Sequence, residues 1–204
     1  MNIGGVGVEG ILFYAIAWCG WIIETFFMDK SVERTWRAFF ILVLIISSCS
    51  YITVASLQIS ASCIFLVVGV LWQLSSKGWW SAFYLILCAG SLGMLYAVFH
   101  IIEIYDPVWI VIERTWLLSA LLVYIICLIA RQTGTRILVL CFGGVLGELL
   151  LGIFLYPIGF HQEIGSPGFL DVIACAFASI CCIHCVKKCF IYVPLFKQKQ
   201  VKEG

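Results

Sequence analysis

The sequence predicts an all-α polytopic membrane protein, a single-domain bundle of about seven transmembrane helices. Three observations predict it. Of the 204 residues 63% are apolar and only 11% charged, with a mean hydropathy of +1.11; a soluble domain carries about a quarter charged residues. The apolar residues gather into runs near the roughly 17–25 residues that cross a bilayer. Lysine and arginine occupy every second connecting segment, as they do in cytoplasmic loops. A net charge of +1 leaves no broad basic surface for nucleic acid.

The residues before Gly10 carry no positive charge of the kind that opens a signal peptide. The first apolar run, 10–28, is therefore kept as a helix, ended by the polar stretch from Asp29 to Arg37. A second span covers 38–57 and a short third span 61–74, separated by the polar break Gln58 to Ser60. Trp79 and Trp80 then suit an interfacial aromatic belt. The fourth span covers 81–102. Asp106 and Pro107 read as a helix start, because Asp accepts backbone N–H bonds and Pro is tolerated in the first turn. The fifth span is then 108–130, the sixth 137–156 and the seventh 169–186, with a loop holding His161 before it and a lysine tail, 187–204, after it.

The segments after spans one, three, five and seven hold 3, 1, 2 and 5 of the 12 basic residues. The one left on the other side is Arg114. That asymmetry places the N-terminus outside and the C-terminus in the cytoplasm. No linker, repeat or low-complexity run divides residues 1–204.

Ionisable residues near hydrocarbon are costly and usually face protein or water. Glu148 lies roughly 12 Å inside the sixth span. It shares a helical stripe with Gly144 and Gly152, while Gly143 and Gly147 form a small-residue pair on the neighbouring face. Glycines admit a second helix at close range, so Glu148 is expected to meet protein. It is then either a structural bridge between helices or a functional carboxyl. Ala89, Gly93, Tyr96, His100 and Glu103 share one face of the fourth span, with His100 roughly 8 Å from its outer end. A His100–Glu148 contact would be either a proton relay or a bond that sets helix register.

Five ionisable residues, His100, Glu103, Asp106, Glu113 and Arg114, crowd the turn between spans four and five. Adjacent on a helix, Glu113 and Arg114 point apart. Arg114 is expected to seek Glu103, Asp106, Asp171 or Glu9, as a structural clasp or an anion site. Glu24, about 6 Å from the cytoplasmic end of span one, is expected to snorkel or to meet Arg34 or Arg37.

The eleven cysteines fall mostly inside spans, where cysteine acts as a small apolar residue. The one cluster, Cys181, Cys182, Cys185 and Cys189 with His184, lacks a second ligand pair at zinc spacing. Packing is the expected role, against metal binding, redox or acylation; no metal and no cofactor are expected. There is no His-Glu-x-x-His site, nucleophile elbow or phosphate loop, no lysine within span seven for a Schiff base, and no inverted repeat of the usual transporter folds. No enzymatic activity is expected.

Several phrases resemble the YphA-like family of small multi-pass bacterial membrane proteins. They are Glu9-Gly10-Ile11, Gly20-Trp21, the run Thr25, Phe26, Phe27, Met28, the run Tyr105, Asp106, Pro107, Val108, Trp109, then Gly147-Glu148 and Phe169-Leu170-Asp171. The resemblance implies a bacterial plasma-membrane location and carries over no catalytic or binding residues. Two functions follow from the residues themselves. The first is transport or permeation of a small solute or proton, through Glu148 and His100. The second is a non-enzymatic membrane organiser or partner subunit, which would use Gly143, Gly147 and the lysine tail to meet a membrane protein or a second copy.

A reporter fluorescent only in the cytoplasm, fused after Gly204, should fluoresce, and one active only outside the membrane should be silent. The reverse pattern would invert the orientation.

Overall fold

The computed structural model describes residues 9–54, 57–106, 113–158 and 163–202. Helix α1 (Ile11–Ile22) continues into a π-helical turn, Ile23–Phe27. Then come α2 (Val32–Ser47), strands β1 (Tyr51–Val54) and β2 (Leu57–Ser60), α3 (Ala61–Ser75) and α4 (Trp79–Tyr105). They are followed by α5 (Arg114–Ile129), α6 (Thr133–Leu155) with a terminal 3-10 turn, and α7 (Pro167–Lys202).

Among the described residues three helical stretches are long and apolar enough to cross a membrane: α4 with 27 residues, α6 with 23, and 24 residues of α7, Pro167–Phe190. The apolar stretches Ile11–Phe27, Ala61–Ser75 and Arg114–Ile129 are shorter. At about 1.5 Å per residue they extend roughly 22–26 Å, short of a hydrocarbon core of about 30 Å.

Several boundaries differ from the expectation. The helix of the second span starts early, at Val32, because the Ser31 side chain caps the Arg34 N–H at 3.2 Å. It also stops at Ser47, where the Ser47 and Ser48 hydroxyls turn back onto the Leu44 and Ile45 carbonyls. Beyond it, Tyr51–Val54 of the predicted span pair antiparallel with Leu57–Ser60, Tyr51 opposite Ser60 and Ile52 opposite Ile59. Tyr, Ile, Thr and Val in sequence favour strand over helix.

The fifth helix begins at Arg114, not at 108. Asp106 ends α4 as its C-cap, and Glu113 has the extended ψ of a residue preceding a helix. The proposed start at Pro107, the span residues 108–112 and His161 lie outside the described residues. The predicted tail is largely helical, since α7 runs to Lys202 through a stretch of Lys and Gln, which are good helix formers.

The core is built around α4 and α6, whose backbones touch. A Cβ at Gly93 would stand 3.0 Å from both the Gly143 carbonyl oxygen and the Gly147 nitrogen. One at Gly143 would meet the Ala89 carbonyl at 2.9 Å, and one at Gly147 the Tyr96 side chain at 2.8 Å. This corrects the reading of Gly143 and Gly147 as a surface for a partner or a second copy: α4 of the same chain occupies it. Gly144 faces α7, with Ile173 at 2.5 Å from a would-be Cβ. Leu92, Leu118, Leu122, Ile126 and Leu140 are fully buried around this pair. By contrast α2 buries no residue and turns Trp36, Phe39 and Ile46 outward.

Gly147→Ala should destabilise the protein by about 1–3 kcal/mol, the cost of overpacking a close contact. Gly90→Ala, which meets nothing within 4 Å, should stabilise α4 by up to roughly 1 kcal/mol. Thermal melting in detergent separates the two.

Candidate functional site

The close approach of α4 and α6 brings Tyr96 against Gly147 and so beside the next residue, Glu148. Both side chains are 1% exposed. The Tyr96 hydroxyl donates to Glu148 Oε1 at 2.5 Å, and the Gly165 N–H donates to Oε2 at 3.4 Å. A buried carboxyl without partners would be very costly; here each oxygen has a donor.

Gly165 is held in place by the hairpin. The Ile164 N–H donates to the Gln58 carbonyl and the Ser60 N–H to the Ile164 carbonyl, both at 2.8 Å. This extends β2 by a parallel bridge between Ile59 and Ile164. Gly165 has φ +82°, a left-handed conformation that suits glycine. Cys63 Sγ would lie 2.6 Å from a Cβ there, so space also excludes a side chain.

His100 does not bond Glu148, contrary to the contact expected from their depths. Its ring lies on that of Tyr96, with centroids 4.4 Å apart, and its Nδ1 lies 3.1 Å from the Tyr96 carbonyl oxygen. A carbonyl only accepts, so Nδ1 carries a proton, and in the neutral ring Nε2 is left as an acceptor. Tyr96 therefore stands between the two predicted partners. A cavity of about 50 Å³ joins them, lined by Tyr96, His100, Glu148, Ser166, Gly168 and Arg114, with Phe169 and Val172 completing the wall.

Arg114 borders this cavity. Its Nη1 lies 3.9 Å from Glu103 Oε1 and its Nη2 4.0 Å from Glu9 Oε1, so two of its four expected partners are present. Both separations exceed hydrogen-bond reach. Gly168 lies directly beneath: a Cβ there would meet Arg114 Nη2 at 3.1 Å.

Asp171 plays another part. It accepts the Gly10 and Phe13 N–H groups, each at 2.7 Å, and so caps α1 from α7. Asp106 ends α4 and does not line the cavity. Glu24 sits in the π turn and pairs with Arg37 at 3.6 Å, while Arg34 binds the Thr25 and Met28 carbonyls. Tyr51, on the hairpin outside the helices, has its phenol pushed up from its ordinary value by burial and then by the charge of Glu163.

The sequence profile of the YphA-like integral membrane proteins matches residues 9–204. The chain belongs to that family. It is 25% identical over 173 residues to the uncharacterized protein YphA of Bacillus subtilis (strain 168), a match covering 85% of each chain. No solved structure matches it. Family membership makes this an integral membrane protein whose apolar helices lie in a lipid bilayer, so Glu148 and Tyr96 are polar groups within a membrane helix bundle.

At the opposite end of the family fold, His184 Nδ1 lies 2.9 Å from the Thr133 hydroxyl and so ties α7 to α6. Among the described residues no three His, Cys, Asp or Glu side chains are grouped to hold a metal. Two contacts of the site do not follow from the sequence pattern. Periodicity puts Tyr96 on the right face but assigns it no role; the available signal is that a buried tyrosine hydroxyl needs a partner. The N–H of Gly165 has no signal beyond its place in a loop that also holds Pro167.

Tyr96→Phe should cost roughly 1–3 kcal/mol by stripping a buried acceptor of its donor, read as a drop in melting temperature. Tyr105→Phe, at an exposed position, should leave the melt unchanged.

Proposed function

We propose that this protein moves protons or a small solute across the bacterial plasma membrane, as a seven-span, non-enzymatic bundle open to the outside at Arg114. The observation that carries the reading is the cavity in which Glu148 is buried between Tyr96 and Gly165, with half-exposed Arg114 on its wall. An intramembrane carboxyl facing a polar cavity is the common form of a proton or substrate site. At about 50 Å³ the space suits a few waters rather than a large molecule, given about 10–15 Å³ for each water by the same kind of measure.

In this reading water enters beside Arg114 and relays a proton from bulk hydronium to the Glu148 carboxylate, and the bond from Tyr96 fixes the carboxyl in the cavity. His100 offers a second proton-accepting atom one helical turn away. The outer placement of this end is supported by charge. Glu9, Glu103, Asp106, Glu113 and Glu163 accompany the single Arg114, whereas Lys30, Arg34, Arg37, Lys77, Arg131, Arg136, Lys187 and Lys188 fall in the segments read as cytoplasmic or at their edges.

A membrane organiser or partner subunit is the second reading. It is favoured by the way Tyr96, Glu148 and Gly165 tie α4, α6 and the hairpin-bound loop together. It is weakened because α4 covers Gly143 and Gly147.

Carbodiimide labelling of Glu148, read by mass spectrometry from about pH 5 to about pH 8, should fall as pH rises, since the reagent attacks the protonated acid. Glu148→Gln should abolish proton flux into proteoliposomes while the protein stays folded, with a melt lowered no further than in Tyr96→Phe. No labelling at any pH, or unchanged flux in that variant, would leave the structural reading in its place.

A further inference from the structure

A second cavity lies on the other side of the Glu9–Arg114 pair. It measures about 250 Å³ and lies between α1, the turn that follows α2, and the start of α7. Its apolar walls include Phe13, Pro167 and Leu170. For comparison, an apolar protein cavity of about 150 Å³ takes up benzene. The space therefore admits one ring with a short substituent.

The polar groups on its wall decide what kind of ring. The Tyr14 hydroxyl is already engaged, at 2.9 Å from Ser48 Oγ and 3.3 Å from Cys49 Sγ. Glu9 is the one charged side chain among the described residues that line it. Its side chain is 64% exposed, and its partner Arg114 stands 4.0 Å away, too far to donate a hydrogen bond. Glu9 thus keeps acceptor positions open at the edge of an apolar space. An ammonium group satisfies a carboxylate there, while a carboxylate-bearing ligand meets like charge. The excess of acidic residues at this end of the bundle also draws cations toward it.

We propose that this cavity is a binding site for a small organic amine, with the apolar body between α1 and α7 and the ammonium group on Glu9. The site is separate from the Glu148 cavity, and it stands or falls independently of proton movement.

Cys49 gives the readout, since it is exposed, lines the cavity and lies beyond the end of α2. Its rate of modification by a charged maleimide can be followed by mass spectrometry on the purified full-length protein, with exposed Cys189, beyond the end of the seventh span, as internal control. Benzylamine is the probe, and benzyl alcohol and benzoate are its size-matched counterparts. Benzylamine should slow modification of Cys49 several-fold, leave Cys189 unchanged, and lose its effect in Glu9→Gln. Calorimetry with benzylamine on the wild type and Glu9→Gln measures the same binding without relying on the thiol. Absence of both protection and heat would overturn the proposal. So would equal protection by benzyl alcohol, or protection undiminished in Glu9→Gln.

Discussion

Everything distinctive about this bundle depends on how closely α4 and α6 approach. In a bilayer there is no hydrophobic force to push helices together, so backbone contact has to come from shape. Gly93 on one helix and Gly143 and Gly147 on the other supply it, with backbone atoms 3.0 Å from a would-be Cβ. That contact sets the height of Tyr96 relative to Glu148, and the 2.5 Å hydrogen bond follows. Larger residues would hold the helices apart and leave a carboxyl and a phenol to find other partners within hydrocarbon. The glycines are thus not a docking surface for another protein but the condition for the buried polar pair.

The end that carries Arg114 is organised by different means. There the contacts are made by backbone and by charge at moderate distance, not by close packing. The hairpin holds the loop before α7 through a single β-bridge at Ile164, and that loop presents Gly165 to Glu148. Arg114 stands between Glu9 and Glu103 without a hydrogen bond to either. It separates two cavities of different character, one polar and one mostly apolar. The interior around Glu148 is closely packed, whereas the Arg114 end is held by charges 3.9 and 4.0 Å apart.

Much of this is legible in the sequence, and the reasons for the remainder are physical. Hydropathy locates α1, α3, α4, α6 and the apolar part of α7, because a membrane helix must be apolar along its length. The glycine stripe around Glu148 announces that protein covers it. Hydropathy does not separate the end of α2 from the hairpin, because Tyr51, Ile52 and Val54 are as apolar as helix residues and differ only in shape. Nor does any local pattern reveal which helices are neighbours. Glu103 and Glu9 stand beside Arg114 as their depth suggests, yet Asp171, equally eligible by depth, turns instead to α1. The role of Tyr96 is hidden for the same reason: its partner lies 52 positions away.

The cap on α1 has a consequence for how the chain is assembled. Its acceptor, Asp171, is 161 residues downstream of Gly10. A ribosome delivers α1 first, so the opening turn of that helix reaches the membrane long before the side chain that satisfies it has been made. Until then its N–H groups must rest on water or lipid headgroups, since unpaired ones in hydrocarbon cost several kcal/mol each. The first helix therefore settles into its final position only when the seventh arrives. A helix translated well before α7 is locked only once α7 is in place, and α7 serves as the keystone of the bundle.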